Sequence, residues 1–222
     1  MNNPHQERIL KIMKDLGDKH SIWGIFSDFV ESSALAIADI TTSGPEEERK
    51  HLEIMNQYEP KDQKLFTEMF DELVTALEYE LGWGNGPADI LGSLFHALDL
   101  QKECKGLVFT PEHFHNFMHV IALNNFKHEI EKQGYIRINE PCCGSGGAML
   151  GIAQAMFQAE LDYCSQLVVE AADIDLTCVH MAYLQLSIYK IPAVLVHNNG
   201  LVLDEKSRWY TPPYIIHGWG SR

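Results

Sequence analysis

Residues 139–151 read NEPCCGSGGAMLG, in which two adjacent cysteines precede three glycines and a serine within four positions. The short β-like run YIRIN (135–139) leads into this stretch, and residues 148–161 are predicted to be helical. A glycine-rich turn between a strand and a helix lets backbone approach a ligand closely beside the free N–H groups of the helix start. Four roles fit such a stretch: a phosphate cradle, a nucleophile, a cysteine metal site, or a turn around a cofactor.

Three of these roles lack the residues that they need. A phosphate loop carries Lys and then Ser or Thr after its last glycine, whereas this chain has Ala148 and Met149, and GSGGAM is a poor match to the dinucleotide pattern GxGxxG. Ser145 lies in CGSGG and misses the first glycine of a nucleophile elbow. Cys142 and Cys143 have no spacer between them, unlike paired metal ligands. A cofactor turn and a helix-starting turn built for packing both stay open on these residues alone.

The second half of the chain alternates strands and helices. Apolar runs at Leu167–Ala172 and Ala193–Val196 are predicted strands, and residues 175–190 between them are a predicted helix. Repeats of this length indicate a parallel sheet with helical crossovers. The sequence therefore predicts an α/β fold.

The first half is predicted to be helical. In KDQKLFTEMFDELVTALEYELG (61–82) apolar residues recur every three or four positions, and Ser21–Ile40 shows similar spacing. The segment GWGNGP (82–87) interrupts this pattern, and a short amphipathic helix resumes after it. We predict a helical N-terminal region over residues 1–84 and a second domain over residues 85–222.

Composition limits the function classes. With 17 basic and 31 acidic residues the 222-residue chain has a formal charge of −14, which opposes binding to nucleic acid unless a basic patch or a basic partner compensates. The five cysteines, an odd number without a CxxC pair, and the polar start MNNPHQERIL predict reduced thiols in the cytoplasm. No run of 18 or more apolar residues occurs, so no membrane span is expected.

Glu140–Gly147, EPCCGSGG, resembles the (D/E)-P-x-C-G-S-G-G signature of the N-6 adenine DNA methylases, the modification-subunit family of type I restriction systems. Upstream, DILGSLF (89–95) is similar to the family's D-x-L-G-x-(I/L)-(Y/F) helix, and GLVFTP (106–111) to its G-Q-F-F-T-P segment. Downstream, DID (173–175) resembles the D-I-D that follows the second strand. These motifs occur in the family's order over residues 89–200.

The resemblance implies a Rossmann-like methyltransferase sheet that binds S-adenosyl-L-methionine. It places Asp173 on the ribose hydroxyls and Asn199 near the adenine amino group, and Asp175 is predicted to cap the next helix. A Cβ atom at Gly144 or Gly146 is expected to intrude on the cofactor. The cofactor-binding residues that it implies are Phe109, Thr110, Pro111, Glu140, Pro141, Cys143, Gly144, Ser145, Gly146, Asp173, Ile174 and Asn199.

The same resemblance implies DNA adenine-N6 methyl transfer, for which the family holds a flipped base with (N/D/S)-P-P-(Y/F). This chain offers Thr211, Pro212, Pro213 and Tyr214 as its divergent catalytic motif. The preceding LVLDEKSRWY is mostly polar where the family has an apolar strand, and Arg222 follows Tyr214 by eight residues, so the sheet is expected to be incomplete. Tyr214 also fits an ordinary aromatic residue in a proline-rich turn.

Two functions therefore stay open: a DNA methyltransferase-like enzyme, or an inactive S-adenosylmethionine-binding regulatory or interaction protein. DNA, a second copy of the chain and a specificity subunit are the partners that the resemblance implies, with Lys127, Lys132 and Arg137 as a local basic patch. A third alternative is a metal site in HFHNFMH, but no acid or cysteine stands at ligand spacing beside its histidines, and no metal ligand is predicted.

Overall fold

Helices occupy the first half of the chain. The computed structural model describes residues 3–42, 45–102, 126–199 and 204–221. The helices of this half are α1 (Pro4–Leu16), α2 (Ile22–Thr42), α3 (Pro45–Met55), α4 (Pro60–Gly82) and α5 (Ile90–Ala97). A 3-10 turn follows at Leu100–Lys102, and residues 126–133 are helical and are called α6. The predicted helical character of this region is confirmed.

The second half forms a four-stranded sheet with its helices. The strands β1 (Ile136–Glu140), β2 (Leu167–Asp173), β3 (Ala193–Asn199) and β4 (Asp204–Tyr210) lie in that order across the sheet. Helices α7 (Gly147–Gln158) and α8 (Tyr163–Gln166) join β1 to β2, and α9 (Leu176–Ile188) joins β2 to β3. After β4 come α10 (Pro212–Ile216) and a 3-10 turn at Trp219–Ser221. The predicted α/β class is confirmed.

One face of the sheet carries the core. Leu195 pairs with Ala171 on one side and with Trp209 on the other, and the Trp209 ring packs against His180 and Tyr183 of α9 at centroid distances of 4.6 and 5.3 Å. These residues place α9 against this face, since side chains alternate between the two faces of a sheet.

The N-terminal helices continue the same core. Helix α2 packs on α9, and its fully buried Phe26 meets the ring of Phe95 on α5 at a centroid distance of 6.0 Å. The two predicted regions of the chain therefore share one hydrophobic core.

The opposite face of the sheet bears a groove. Its lining includes the small apolar side chains of Ala172, Val194 and Val196, and its volume is about 340 Å³. On this face Arg137 of β1 forms an ion pair with Glu170 of β2. Because Glu170 partly neutralises its charge, Arg137 contributes less to the basic patch that the sequence predicts.

Strand β4 corrects one prediction. The sequence indicates parallel strands only, but β4 runs antiparallel to β3, with Asn199 opposite Asp204 and Val194 opposite Tyr210. A polar strand is stable here because it forms the edge of the sheet and buries mainly one side chain, Trp209, against the core. Among the described residues no helix has the length and apolar character needed to cross a membrane.

Candidate cofactor site

The carboxyl ends of three neighbouring strands bring the predicted cofactor residues together. Strand β1 ends at Glu140, β2 at Asp173 and β3 at Asn199, and parallel strands end at the same edge of a sheet. In open α/β sheets ligands bind beyond this carboxyl edge. All three side chains are half-buried, so the edge keeps them accessible.

The glycine-rich turn is folded by its own backbone. Gly144 has φ +53° and Gly146 has φ +99°, both in the left-handed region where a side chain is strained. The N–H of Gly146 donates to the carbonyl of Cys143 at 2.9 Å, and Gly146 then caps the start of α7. The twelve-residue α7 thus begins directly at the carboxyl edge.

The reason for glycine at 146 differs from the expected one. A Cβ atom at Gly146 would lie 3.3 Å from the Cα atom of Ala182 on α9, inside the protein. A Cβ atom here would meet α9, and its intrusion on the cofactor stays a prediction. Glycine is needed here because of the backbone conformation and the close approach of α9.

Asp173 is tied to the glycine-rich turn. Its Oδ2 accepts a hydrogen bond from the N–H of Gly144 at 2.9 Å, and its Oδ1 accepts one from the N–H of Asp175 at 3.0 Å. Asp175 in turn accepts from the N–H of Thr177 and caps α9, which confirms the predicted cap. Since a carboxylate offers about four acceptor positions, Asp173 retains capacity for a ligand.

Glu140 closes the other side of the turn. Its Oε1 accepts a hydrogen bond from the N–H of Cys142 at 3.1 Å. Burial raises the pKa of the Cys143 thiol well above its usual value, and the charges of Asp173 and Glu140 raise it further. Cys143 is therefore a neutral, buried thiol, and a thiolate role as metal ligand or nucleophile does not fit it.

Ser145 lies beneath the turn. Only 2% of the residue is exposed, and its hydroxyl donates to Oδ2 of Asp89 at 2.5 Å. The family signature predicts Ser145 as a cofactor residue, but its side chain is occupied by this internal contact. Pro141, like Glu140, lines the groove.

Ile174 and His197 complete the edge. Ile174 lies between Asp173 and Asp175 and is 61% exposed, so its apolar side chain can cover a planar ring. The Nε2 atom of His197 lies 3.0 Å from the carbonyl oxygen of Ile174. No sequence pattern singles out His197, because it is the parallel pairing of β2 and β3 that brings it beside residue 174.

The predicted base motif lies at the other end of the sheet. Antiparallel β4 carries the chain to the start of β3, where the N–H of Ala193 donates to Oγ1 of Thr211 at 2.8 Å. The Thr211 hydroxyl donates to the carbonyl of Ile191 at 2.9 Å, and no part of Thr211 is exposed. The structure therefore does not bring Thr211 to the carboxyl edge.

The rest of that motif is partly accessible. Pro212 and Pro213 begin α10, where proline suits the first helical turn. The ring of Tyr214 packs against that of Tyr210 in a tilted arrangement at a centroid distance of 5.6 Å, and Tyr214 lines the groove that also reaches Glu140. Phe109, Thr110 and Pro111 lie outside the described residues, as do His113, His115 and His119.

The charge of the carboxyl edge limits which ligands it can bind. Neither 139–147 nor 173–175 contains Lys or Arg, whereas Glu140, Asp173 and Asp175 are acidic. Such an edge disfavours a polyphosphate and favours a ligand with hydroxyl donors or positive charge.

The chain is similar to the crystal structure of a proposed class I S-adenosylmethionine-dependent methyltransferase from Listeria monocytogenes, with 15% sequence identity and a TM-score of 0.46. The similarity covers 90% of this chain and 55% of that one, so the chain spans about half the length of the matched protein. No protein-family model matches the chain, and no curated protein matches it either.

Proposed function

We propose that the chain binds S-adenosylmethionine at the carboxyl edge of its sheet. The observation that carries this proposal is the paired arrangement of Glu140 and Asp173 on either side of a glycine-rich turn that is bonded to Asp173 itself. Asp173 stands at the end of the second strand, where a carboxylate can accept both ribose hydroxyls of a nucleoside. Ile174 is exposed beside it to contact the adenine ring.

The electrostatics favour this cofactor over nucleotides that carry phosphates. S-adenosylmethionine has a sulfonium and an ammonium group, and both positive charges suit an edge with acidic residues and no basic ones in its two motif segments. Free N–H groups at the start of α7 offer a place for its carboxylate. When bound, the cofactor would supply an electrophilic methyl group.

The acceptor follows from the motif resemblance: adenine N6 in DNA. The order of the motifs over residues 89–200 supports this substrate class, and Tyr214 supplies an aromatic ring in the groove that reaches Glu140. Because the chain has a formal charge of −14, we expect DNA to be brought to it by a partner, either a second copy or a specificity subunit.

A second candidate function is cofactor binding without catalysis, in a regulatory or interaction protein. The observation that favours it is the position of Thr211, which is buried and bonded to Ala193 and Ile191 at the amino end of β3. Because Thr211 is fully buried in this position, its hydroxyl is out of reach of an adenine amino group.

Calorimetric titration of the full chain with S-adenosylmethionine tests the cofactor. We expect saturable binding that weakens at least about tenfold in Asp173→Ala, since charge-assisted hydrogen bonds contribute about 1.5–3 kcal/mol each. Glu68→Ala is the matched control, an acidic residue of α4 that is paired with Arg8 of α1 and is not among the groove residues. Absence of binding, or equal binding by Asp173→Ala and the wild type, would contradict the proposal.

Transfer of a labelled methyl group to unmodified DNA separates the two candidates. Label in adenine that disappears in both Asp173→Ala and Tyr214→Ala supports the methyltransferase. Cofactor binding with no transfer, in the presence of every candidate partner, supports the non-catalytic protein.

A further inference from the structure

A buried polar cluster joins the glycine-rich turn to two helices distant in sequence. It consists of Asp89 at the start of α5, Ser145 in the turn and Gln185 on α9. Gln185 has no exposed surface, and Ser145 is 2% exposed. Polar groups at this depth are costly unless they are bonded, so their pairing fixes the geometry around them.

Each member of this cluster bonds to the other two. Asp89 accepts from the Ser145 hydroxyl at 2.5 Å through Oδ2 and from Nε2 of Gln185 at 2.9 Å through Oδ1. Nε2 of Gln185 also donates to the backbone carbonyl of Ser145 at 2.8 Å. Oε1 of Gln185 accepts from the N–H of Leu91 at 3.1 Å, which fixes the side-chain amide to α5.

Gly92 on α5 leaves the space that this cluster needs. A Cβ atom at Gly92 would lie 2.2 Å from Oδ2 of Asp89 and 2.8 Å from Oγ of Ser145. Glycine at 92 therefore permits both contacts, and any larger residue would push the Asp89 carboxylate away from Ser145.

The turn is thereby held from two sides. From the open edge, Asp173 binds the N–H of Gly144, and from beneath, Asp89 and Gln185 bind the side chain and carbonyl of Ser145. Asp173 faces the proposed ligand, whereas the contacts of Asp89 with the turn run through Ser145 and the side chain of Gln185.

We infer that Asp89 is a positioning residue for the cofactor turn, acting through Ser145 and Gln185 to hold residues 143–146 in the shape that binds ligand. The consequence for affinity rests on the proposed function, but the consequence for the turn itself does not. Loss of the Asp89–Ser145 contact should loosen the turn without removing any group that touches the ligand.

Hydrogen exchange of the full chain measures the turn directly. In Ser145→Ala we expect peptides that cover residues 141–147 to exchange at least about tenfold faster than in the wild type, a change that corresponds to about 1.4 kcal/mol. Ser93→Ala is the matched control, because the Ser93 hydroxyl donates to the carbonyl of Asp89 on the exposed side of α5 and not to the turn. Unchanged exchange in 141–147 for Ser145→Ala would overturn the inference.

Gly92→Ala, on α5, disrupts the same contact between Asp89 and Ser145. We expect it to speed exchange in 141–147 as Ser145→Ala does, and the double variant to exchange no faster than the faster single variant, because both changes release one contact. Additive effects would refute a shared contact. Should Gly92→Ala fail to fold, Asp89→Asn replaces it, since asparagine keeps the cap of α5.

Calorimetry then links the turn to the ligand. Ser145→Ala should bind S-adenosylmethionine at least about tenfold more weakly at unchanged stoichiometry, whereas Ser93→Ala should bind as the wild type does. Faster exchange with no binding even by the wild type would refute the proposed cofactor and leave the positioning role of Asp89 intact. Faster exchange with unaltered affinity would show that the cluster serves stability alone.

Discussion

Replacement of Thr211 by valine distinguishes a structural threonine from a base-binding one. Valine has nearly the shape of threonine but no hydroxyl, so Thr211→Val removes two hydrogen bonds, from the N–H of Ala193 and to the carbonyl of Ile191. Because Thr211 has no exposed surface, water does not replace the lost partner.

The expected cost follows from the two groups left unpaired. A buried donor or acceptor that loses its partner costs about 1–3 kcal/mol, so the two together predict a loss of roughly 2–6 kcal/mol in the free energy of unfolding. The carbonyl of Ala193 keeps its bond from the N–H of Thr211, which confines the damage to the hydroxyl. Thr211→Ser retains the hydroxyl and loses one methyl group, for which we expect about 1 kcal/mol.

Urea denaturation followed by circular dichroism measures the stability of both variants. Calorimetry measures S-adenosylmethionine binding at the distant carboxyl edge. We expect Thr211→Val to shift the urea midpoint well below that of Thr211→Ser, with cofactor affinity of the folded protein unchanged in both. A Thr211→Val protein as stable as the wild type that has lost methyl transfer would refute this reasoning and restore Thr211 as a catalytic residue.

Two further predictions concern the core beneath the sheet. Burial lowers the pKa of His180 to about 3 from 6.5, so the unfolded chain binds the proton more readily and stability falls as pH drops from 6.5 toward 3. A pKa difference is equivalent to about 1.4 kcal/mol per pH unit. Between pH 6.5 and 5, urea denaturation should therefore show that the wild type loses about 2 kcal/mol more free energy of unfolding than His180→Phe does. Equal losses in the two proteins would contradict the lowered pKa of His180. Gly146→Ala should lower the free energy of unfolding by roughly 1–3 kcal/mol, because of its φ of +99° and the approach of Ala182. Gly82→Ala is its control and should be neutral or slightly stabilising, since nothing lies within 4 Å of a Cβ atom there; equal effects of both changes would refute the strain at Gly146.

Local patterns predicted most of the elements, because the helices and parallel strands carry their own periodicity. The 3- to 4-residue spacing in 61–82 matches α4, and the apolar run at 167–172 matches β2. Strand β4 escaped prediction because an edge strand can be almost wholly polar, and in DEKSRWY chiefly Trp209 packs into the core.

The site was predictable only where one short segment builds it. The cap formed by Asp175 spans two residues, and the sequence predicts it correctly. The bond between Asp173 and Gly144 joins residues 29 apart, and that between Asp89 and Ser145 joins residues 56 apart. Such contacts depend on how the sheet and helices pack, which no local pattern specifies.

The order of motifs along the chain does not determine which end of the sheet they reach. Parallel strands return each motif to the carboxyl edge, and Glu140, Asp173 and Asn199 meet there for that reason. The antiparallel pairing of β4 reverses the direction once, so Thr211 arrives beside Ala193 at the amino end. If this chain transfers a methyl group, its acceptor must therefore be held by groups other than the Thr211 hydroxyl. Loss of transfer in Tyr214→Ala together with full transfer by folded Thr211→Val, which lacks the hydroxyl, would be the expected pattern for an acceptor bound along the groove.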